Sequence, residues 1–260
     1  MKYAGYLIDL DGTMYRGNEP IDGAKEFIQH LQQTSTPHMY VTNNATSTQS
    51  AVIAKLKKFG IDAKEEQVLT SAIAAANYIK EKQAGNQVYM IGEVGLREAL
   101  EKEGMIVTDE ASDYVVVGLD RELTYEKLAT ACTLIRNGAT FISTNKDAAI
   151  PTEAGFRPGN GSITQAVAVS TGVKPIYIGK PEAIMVEQAL HYLQMSKEEV
   201  LMVGDNYDTD ITFGIDAQID TLMVLTGVST REHLLGGVKQ PTYLEENLTT
   251  WLARISQVNN

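Results

Sequence analysis

The chain has 260 residues, of which 43% are hydrophobic and 21% charged, and its formal net charge at pH 7 is −11. These values fit a folded, water-soluble protein of one large domain or two modest ones. The acidic balance argues against nucleic acid or an anionic membrane surface as the main partner, though a local pocket can still bind a small anion. A single cysteine, Cys132, rules out an internal disulfide and is expected to pack inside a helix. His30, His38, His191 and His233 form no close ligand cluster along the chain, so a zinc site is not expected. No stretch of 18 apolar residues occurs and the N-terminus leads straight into a strand, so a cytoplasmic protein without a membrane span is the expectation.

In chain order, Tyr3 to Leu10 reads as a buried strand, and Ile21 to Leu31 as a helix with Ile21, Ala24, Phe27, Ile28 and Leu31 on one face. His38 to Thr42 is a second strand. Ser47 to Phe59 follows as a helix stopping at Gly60, with Asn44 and Thr46 as candidate caps, and Thr70 to Gln83 is another helix. The next hundred residues carry their own alternation. Strands are expected at 87–91, 114–118 and 140–143, and helices at 93–102, 125–137 and 161–171. The last third returns to the first style, with strands at 175–178, 200–204 and 221–225 and helices at 183–193 and 208–217. Strands alternating with helices imply parallel sheets covered by helices. The expected organisation is a core of residues 1–78 and 179–260, interrupted by an insert of residues 79–178 large enough to hold a core of its own.

Four polar signatures each sit beside an apolar run. Asp9 and Asp11, two positions apart at the end of the first strand, point the same way if the strand continues regularly. Ligands bind at the carboxyl ends of strands in open α/β sheets. Two such acids repel unless a cation intervenes or one holds a proton, so they suit metal binding or catalysis. Gly12-Thr13 can turn backbone donors and a hydroxyl toward an anion. Thr42-Asn43-Asn44 offers a hydroxyl, an amide and backbone N–H groups suited to phosphate oxygens, or else a polar turn. Lys180, between Gly179 and Pro181, could neutralise a phosphoryl oxygen. In Gly204-Asp205-Asn206-Tyr207-Asp208-Thr209-Asp210, Asp205 is placed to join Asp9 around one divalent cation. Magnesium suits that oxygen-rich set. Asp210 would support the site or bind through water, and Asp208 could cap the next helix. Asp120, Arg121 and Asn145 are polar enough to shape a substrate pocket, and Trp251 reads as packing.

Taken in order, Asp9-x-Asp11-Gly12-Thr13, Thr42, Lys180 and Gly204-Asp205-x-x-x-x-Asp210 resemble the haloacid dehalogenase-like hydrolase superfamily. Ile8 to Gly17, Val41-Thr42-Asn43-Asn44, Ile178 to Pro181 and Val203 to Asn206 are similar to its NagD/p-nitrophenylphosphatase-like subgroup, over nearly the whole chain. The resemblance implies an α/β fold: a Rossmann-like three-layer parallel-sheet core with an inserted α/β C2-type cap, residues 79–178. It implies Mg²⁺-dependent hydrolysis of small phosphomonoesters, sugar phosphates or related metabolites, through an aspartyl-phosphate intermediate. Asp9 matches the nucleophile and Asp11 the general acid/base. Asp9, the backbone carbonyl of Asp11 and Asp205 match the metal ligands, with Asp210 behind them. Thr42, Asn43 and Lys180 match the phosphate-binding positions, and Asp120, Arg121 and Asn145 are the candidates for cap specificity. The implied partner is a small phosphorylated metabolite, without nucleic acid or membrane, and a homodimer is compatible with this subgroup. A phosphomutase, or an inactive phosphometabolite-binding regulator, is the alternative reading.

Overall fold

The computed structural model describes residues 3–152, 155–235 and 239–258. The chain divides into two compact units: Met1–Thr42, Val52–Leu69 and Lys180–Asn260 form one, and Asn43–Ala51 with Thr70–Gly179 form the other. The boundary expected after residue 78 falls inside the helix Ser71–Lys82. The chain instead changes units ahead of that helix, and the short stretch Asn43–Ala51 joins the second unit.

The first unit is built on a sheet of six strands, of which the first five in the order below pair parallel. In spatial order these are Tyr243–Glu245, Asp220–Val224, Val200–Gly204, Gly5–Ile8, His38–Thr42 and Val68–Thr70. The central strands Gly5–Ile8, His38–Thr42 and Val200–Gly204 are buried along their whole length. This is the burial that near-continuous apolar runs predict for a sheet covered on both faces. Alternation sorts their side chains between the faces. Tyr6, Ile8, Tyr40, Leu201 and Val203 pack with Phe27, Ile28 and Leu31 of the helix Ala24–Gln33, with Val52 and Leu56 of Gln49–Lys58, and with Leu248 and Trp251 of Leu248–Val258. Leu7, Met39, Val41 and Met202 take the opposite parity. Met185, Val186 and Ala189 of the helix Ala183–Leu193 and Phe213 of Thr212–Ala217 are buried as well. These layers make a Rossmann-like α/β core. Pairing of Gly5–Ile8 with Val200–Gly204 in register, Ile8 opposite Val203, sets Asp9 and Asp205 near the same sheet edge although 196 positions separate them.

The second unit carries a five-stranded sheet in the order Ile176–Tyr177, Thr140–Ser143, Tyr114–Val117, Gln87–Ile91 and Ile106–Val107, all pairs parallel. Its core joins Tyr89, Ile91, Val115, Val117 and Phe141 to Ala131, Cys132 and Ile135 of the helix Tyr125–Arg136 and to Ile163 and Val167 of Asn160–Thr171. Cys132 is thus a packing residue.

Most expected elements form within a residue or two of their expected bounds. Not expected were the hairpin of Tyr15–Arg16 with Glu19–Pro20, the hairpin of Ala149–Thr152 with Gly155–Pro158, the short strands Val68–Thr70, Ile106–Val107 and Tyr243–Glu245, and the helix Leu248–Val258. The segment expected as one helix from Asp208 to Ala217 is a wide turn over Tyr207–Ile211 followed by a short α-helix. Two cap assignments also change. Thr48, not Asn44 or Thr46, accepts from the Ala51 amide ahead of Gln49–Lys58. Asn206, rather than Asp208, starts the 207–211 turn by accepting from the Asp208 amide. Among the described residues no helix is long and apolar enough to cross a membrane.

Candidate active site

At the carboxyl edge of the six-stranded sheet, Lys180 draws three segments together. Its ammonium is 2% exposed and donates to Asp9 Oδ1 at 2.5 Å, Asp210 Oδ1 at 2.7 Å and the Val41 carbonyl at 2.9 Å. Its three protons are therefore spent on the ends of three different chain segments. The Val41 bond also ties it to the strand that ends at buried Thr42.

Asp9, Asp205 and Asp210 are all buried, and each offers a carboxylate oxygen within 4.8 Å of the others. Both oxygens of Asp210 are engaged, Oδ1 by Lys180 and Oδ2 by the Asn206 amide at 3.0 Å. Asp205 accepts from the Val228 amide at 2.7 Å and, more weakly, from the Thr13 hydroxyl at 3.3 Å. Thr13 thus turns its hydroxyl to a carboxylate rather than leaving it open for a ligand. Gly12, at φ +94°, lies so close to Asp205 that a Cβ there would meet its carboxylate at 2.4 Å, and glycine is the residue that tolerates both constraints.

Three carboxylates facing one ammonium leave surplus negative charge in a desolvated place. Burial first, then the charge of Asp210, raises the Asp9 carboxyl well above the ordinary range, with Lys180 opposing. Burial and Asp210 push Asp205 up to about 7. Desolvation alone would lower the Lys180 ammonium, but Asp210 and Asp9 more than offset it and hold it above its ordinary value. Lys180 therefore stays charged while the acids compete for further positive charge. Oxygen donors, burial and excess negative charge are what a hard divalent cation requires, so the residues present fit Mg²⁺.

Asp11 opens toward solvent beside this cluster, although the protein packed around it is dense enough for desolvation to raise its carboxyl above the ordinary value. Lys55, Lys180 and the Tyr15 hydroxyl act in the opposite direction. The Lys55 ammonium sits 3.6 Å from the centre of the Tyr15 ring. Nothing in the spacing of the motifs pointed to Lys55, which comes from the helix Gln49–Lys58.

The remaining candidates belong to the second unit and are fastened inside it. The Asn43 side chain donates to both Asp147 oxygens at 3.3 Å, and its carbonyl accepts from Ser71 at 2.7 Å and Asn145 at 2.8 Å. The Asn145 side chain also accepts from the Asp147 amide. Asp120 accepts from the Glu122 amide and pairs with Lys127 at 2.7 Å, while Arg121 pairs with Glu93 at 2.8 Å.

Comparison with known proteins shows the family. Residues 6–106 match a family model for haloacid dehalogenase-like hydrolases, and residues 177–251 match a HAD-hydrolase-like model. The chain is 52% identical to the 5′-nucleotidase YutF of Bacillus subtilis, covering 97% of this chain and 99% of that one. It is 54% identical to an acid sugar phosphatase of Staphylococcus aureus, covering 98% and 99%. The crystal structure of a double mutant of a thermostable NPPase from Geobacillus stearothermophilus superposes with a TM-score of 0.90 at 51% identity, covering 96% of this chain and 98% of that one. The chain belongs to the haloacid dehalogenase-like hydrolases, in the NagD/p-nitrophenylphosphatase-like subgroup whose motifs it carries.

Proposed function

We propose that this protein hydrolyses small phosphomonoesters with Mg²⁺ as cofactor, through an aspartyl phosphate on Asp9. The observation that carries the reading is the buried Lys180 bridging Asp9 and Asp210 beside Asp205, a cluster whose surplus negative charge calls for a cation. Asp9, Asp205 and the backbone carbonyl of Asp11 would hold Mg²⁺, and Asp210 would keep Lys180 and the Asn206 turn in place. Bound Mg²⁺ offsets the repulsion between a phosphate dianion and the Asp9 carboxylate.

One Asp9 oxygen attacks phosphorus in line, forming a P–O bond as the bond to the leaving oxygen breaks. Asp11, its carboxyl raised and open to solvent, gives its proton to that leaving oxygen. It then takes a proton from the water that attacks phosphorus and frees Asp9. Thr42 and the Asn43 backbone donate to the equatorial phosphoryl oxygens, and Lys180, whose protons are taken by the protein, offsets their negative charge through its own positive charge. Asp120, Arg121 and Asn145 act, in this reading, by shaping the loops of the cap.

Relatives called a 5′-nucleotidase and an acid sugar phosphatase support a small phosphorylated metabolite as substrate, with sugar phosphates the first choice. The test is release of inorganic phosphate from a panel of sugar phosphates, nucleoside monophosphates and aryl phosphates, with Mg²⁺ and with chelator, for the unsubstituted protein and Asp9→Asn. Mg²⁺-dependent release abolished by the substitution is expected. Isomerised phosphate ester without free phosphate would replace the reading with a phosphomutase, and binding without turnover would replace it with a regulator.

A further inference from the structure

Asp205 is held by a turn that none of the four motifs contains. The strand Asp220–Val224 leads through Leu225 into Thr226-Gly227-Val228-Ser229, and this stretch grips both the Asp205 segment and the Asp9–Thr13 turn. The Val228 amide donates to Asp205 Oδ2 at 2.7 Å, and the Ser229 amide to the Asp205 carbonyl at 3.2 Å. The Ser229 hydroxyl accepts from the Tyr207 amide at 2.8 Å. A Cβ on Gly227 would fall 1.8 Å from Asp205 Oδ2, so the backbone approaches the carboxylate as closely as a glycine permits.

The link to the first turn is Thr226. Its hydroxyl donates to the Gly12 carbonyl at 2.6 Å, and its own carbonyl accepts from the Arg16 guanidinium. Gly12 in turn packs on Asp205, and Thr13 donates to Asp205 Oδ1. A closed loop of contacts results: Thr226 to Gly12, Gly12–Thr13 to Asp205, and Asp205 to Val228. A carboxylate gripped from two sides keeps one orientation, and groups that orient a ligand commonly govern metal affinity.

We propose that Thr226 is a positioning residue for the cation site, locking the Gly12 turn to the Asp205 clamp so that the carboxylate and the Asp11 peptide face one ion. The inference rests on the proposed Mg²⁺ site. Its role is separate from chemistry, because the Thr226 hydroxyl and carbonyl bond to Gly12 and Arg16 rather than to the attacking Asp9.

Calorimetric titration with Mg²⁺ tests it on the unsubstituted protein, Thr226→Val and Thr226→Ser, with thermal unfolding of each metal-free protein as the check on folding. Valine keeps the shape and removes the donor. Its Mg²⁺ dissociation constant is expected to rise about tenfold or more, within the range seen when groups behind metal ligands are removed. Serine, which keeps the hydroxyl, should bind nearly as the unsubstituted protein does, and turnover of the valine variant should recover in part at high Mg²⁺. Unchanged affinity in Thr226→Val, or equal weakening in both variants, overturns the proposal. Should the valine variant fail to fold, Arg16→Met, which releases the Thr226 carbonyl from the exposed side, is expected to weaken Mg²⁺ in the same direction, and unchanged affinity there overturns it equally. Absence of Mg²⁺ binding by the unsubstituted protein would sink the Mg²⁺ reading and this inference together, whereas normal binding there with no effect of Thr226→Val sinks this inference alone.

Discussion

Each of the two units ends a parallel sheet in a buried polar cluster, and the two clusters differ in kind. In the core the groups are charged: Asp9, Asp205 and Asp210 around one Lys180. In the other unit they are neutral. The Asn160 side chain donates to Ser143 Oγ at 3.0 Å, Thr144 Oγ1 at 3.2 Å and the Asn145 carbonyl at 2.8 Å, and the Ser143 and Thr164 hydroxyls lie 2.8 Å apart. Neutral donors and acceptors can satisfy one another within the fold at little net cost. Buried like charges cannot, and they keep a demand for positive charge that a bound cation or a proton must meet. Burial of polar groups alone therefore does not mark a site; an electrostatic imbalance among them does.

The sharpest way to break this contrast is Asp9→Asn. It removes the attacking oxygen and one of the crowded charges together. Turnover should fall on the order of 10⁴-fold or more, as when nucleophiles are removed from other hydrolases. Thermal stability of the metal-free protein should stay level or rise, because a raised, buried carboxyl is lost. A variant that retains turnover would show that the charged cluster is not a reaction centre.

Next in size is Lys180→Met. The methionine fills the space but leaves Asp9 and Asp210 without their counter-charge, and breaking a buried pair in this way costs about 3–5 kcal/mol. Denaturant unfolding of the metal-free protein should show that loss. A change below about 1 kcal/mol would mean the two acids simply take up protons and the lysine is dispensable to the fold.

The sequence made much of this cluster readable for a physical reason. Each member follows an apolar run, so strand ends and polar punctuation coincide at Asp9, Thr42, Lys180 and Asp205. The same logic was available at Leu222-Met223-Val224-Leu225-Thr226-Gly227, but a threonine and a glycine carry no charge to flag them, and only register brings them to Asp205. Lys55 was invisible because a lysine on a helix face looks solvated until the Tyr15 ring beneath it is known. The polar loop residues of the insert were read alike, whereas the structure gives Asp120, Arg121 and Asn145 local partners within their own unit. The missed hairpins are short and largely exposed, without the alternation that marks a half-buried strand. The helix Leu248–Val258 did carry apolar residues at Leu248, Trp251, Leu252 and Ile255, and their spacing matches the face it packs on the core.

On the neutral side of the comparison, Asn160→Ala should cost about 1–3 kcal/mol by stranding the hydroxyls and carbonyl it serves. Among the described residues its Oδ1 accepts no hydrogen bond, which keeps the expected loss toward the lower end. Phosphate release should survive wherever the variant is folded. Loss of turnover at full stability would instead make the neutral cluster part of the chemistry.

The smallest expected effect separates two buried titrations of opposite sign. Asp205 has a folded pKa of about 7 against an ordinary 3.8, so the folded metal-free protein binds more protons than the unfolded chain between those values. That contribution to stability is full at low pH and is lost as pH rises toward 7. His38 works the other way. Its Nδ1 faces the Thr36 carbonyl at 3.1 Å, which can only accept, so Nδ1 carries the proton. The Lys64 amide holds Gln67 Oε1 at 3.0 Å, which leaves the Gln67 NH₂ to donate to His38 Nε2 at 3.1 Å. A second proton on the ring would set N–H against N–H in a buried place, and burial accordingly lowers this histidine below 6.5. Its contribution is present above the unfolded pKa and is lost as pH falls through the folded one. Without metal the two slopes oppose each other in the acid range. Saturating Mg²⁺ should suppress the Asp205 slope and leave the His38 slope, so that stability rises with pH toward neutrality, and His38→Gln should flatten it. Thermal unfolding across pH 5 to 7, roughly the span in which histidines titrate, reads both; an unchanged profile in His38→Gln would mean that Gln67 turns its amide to receive the second proton at no cost.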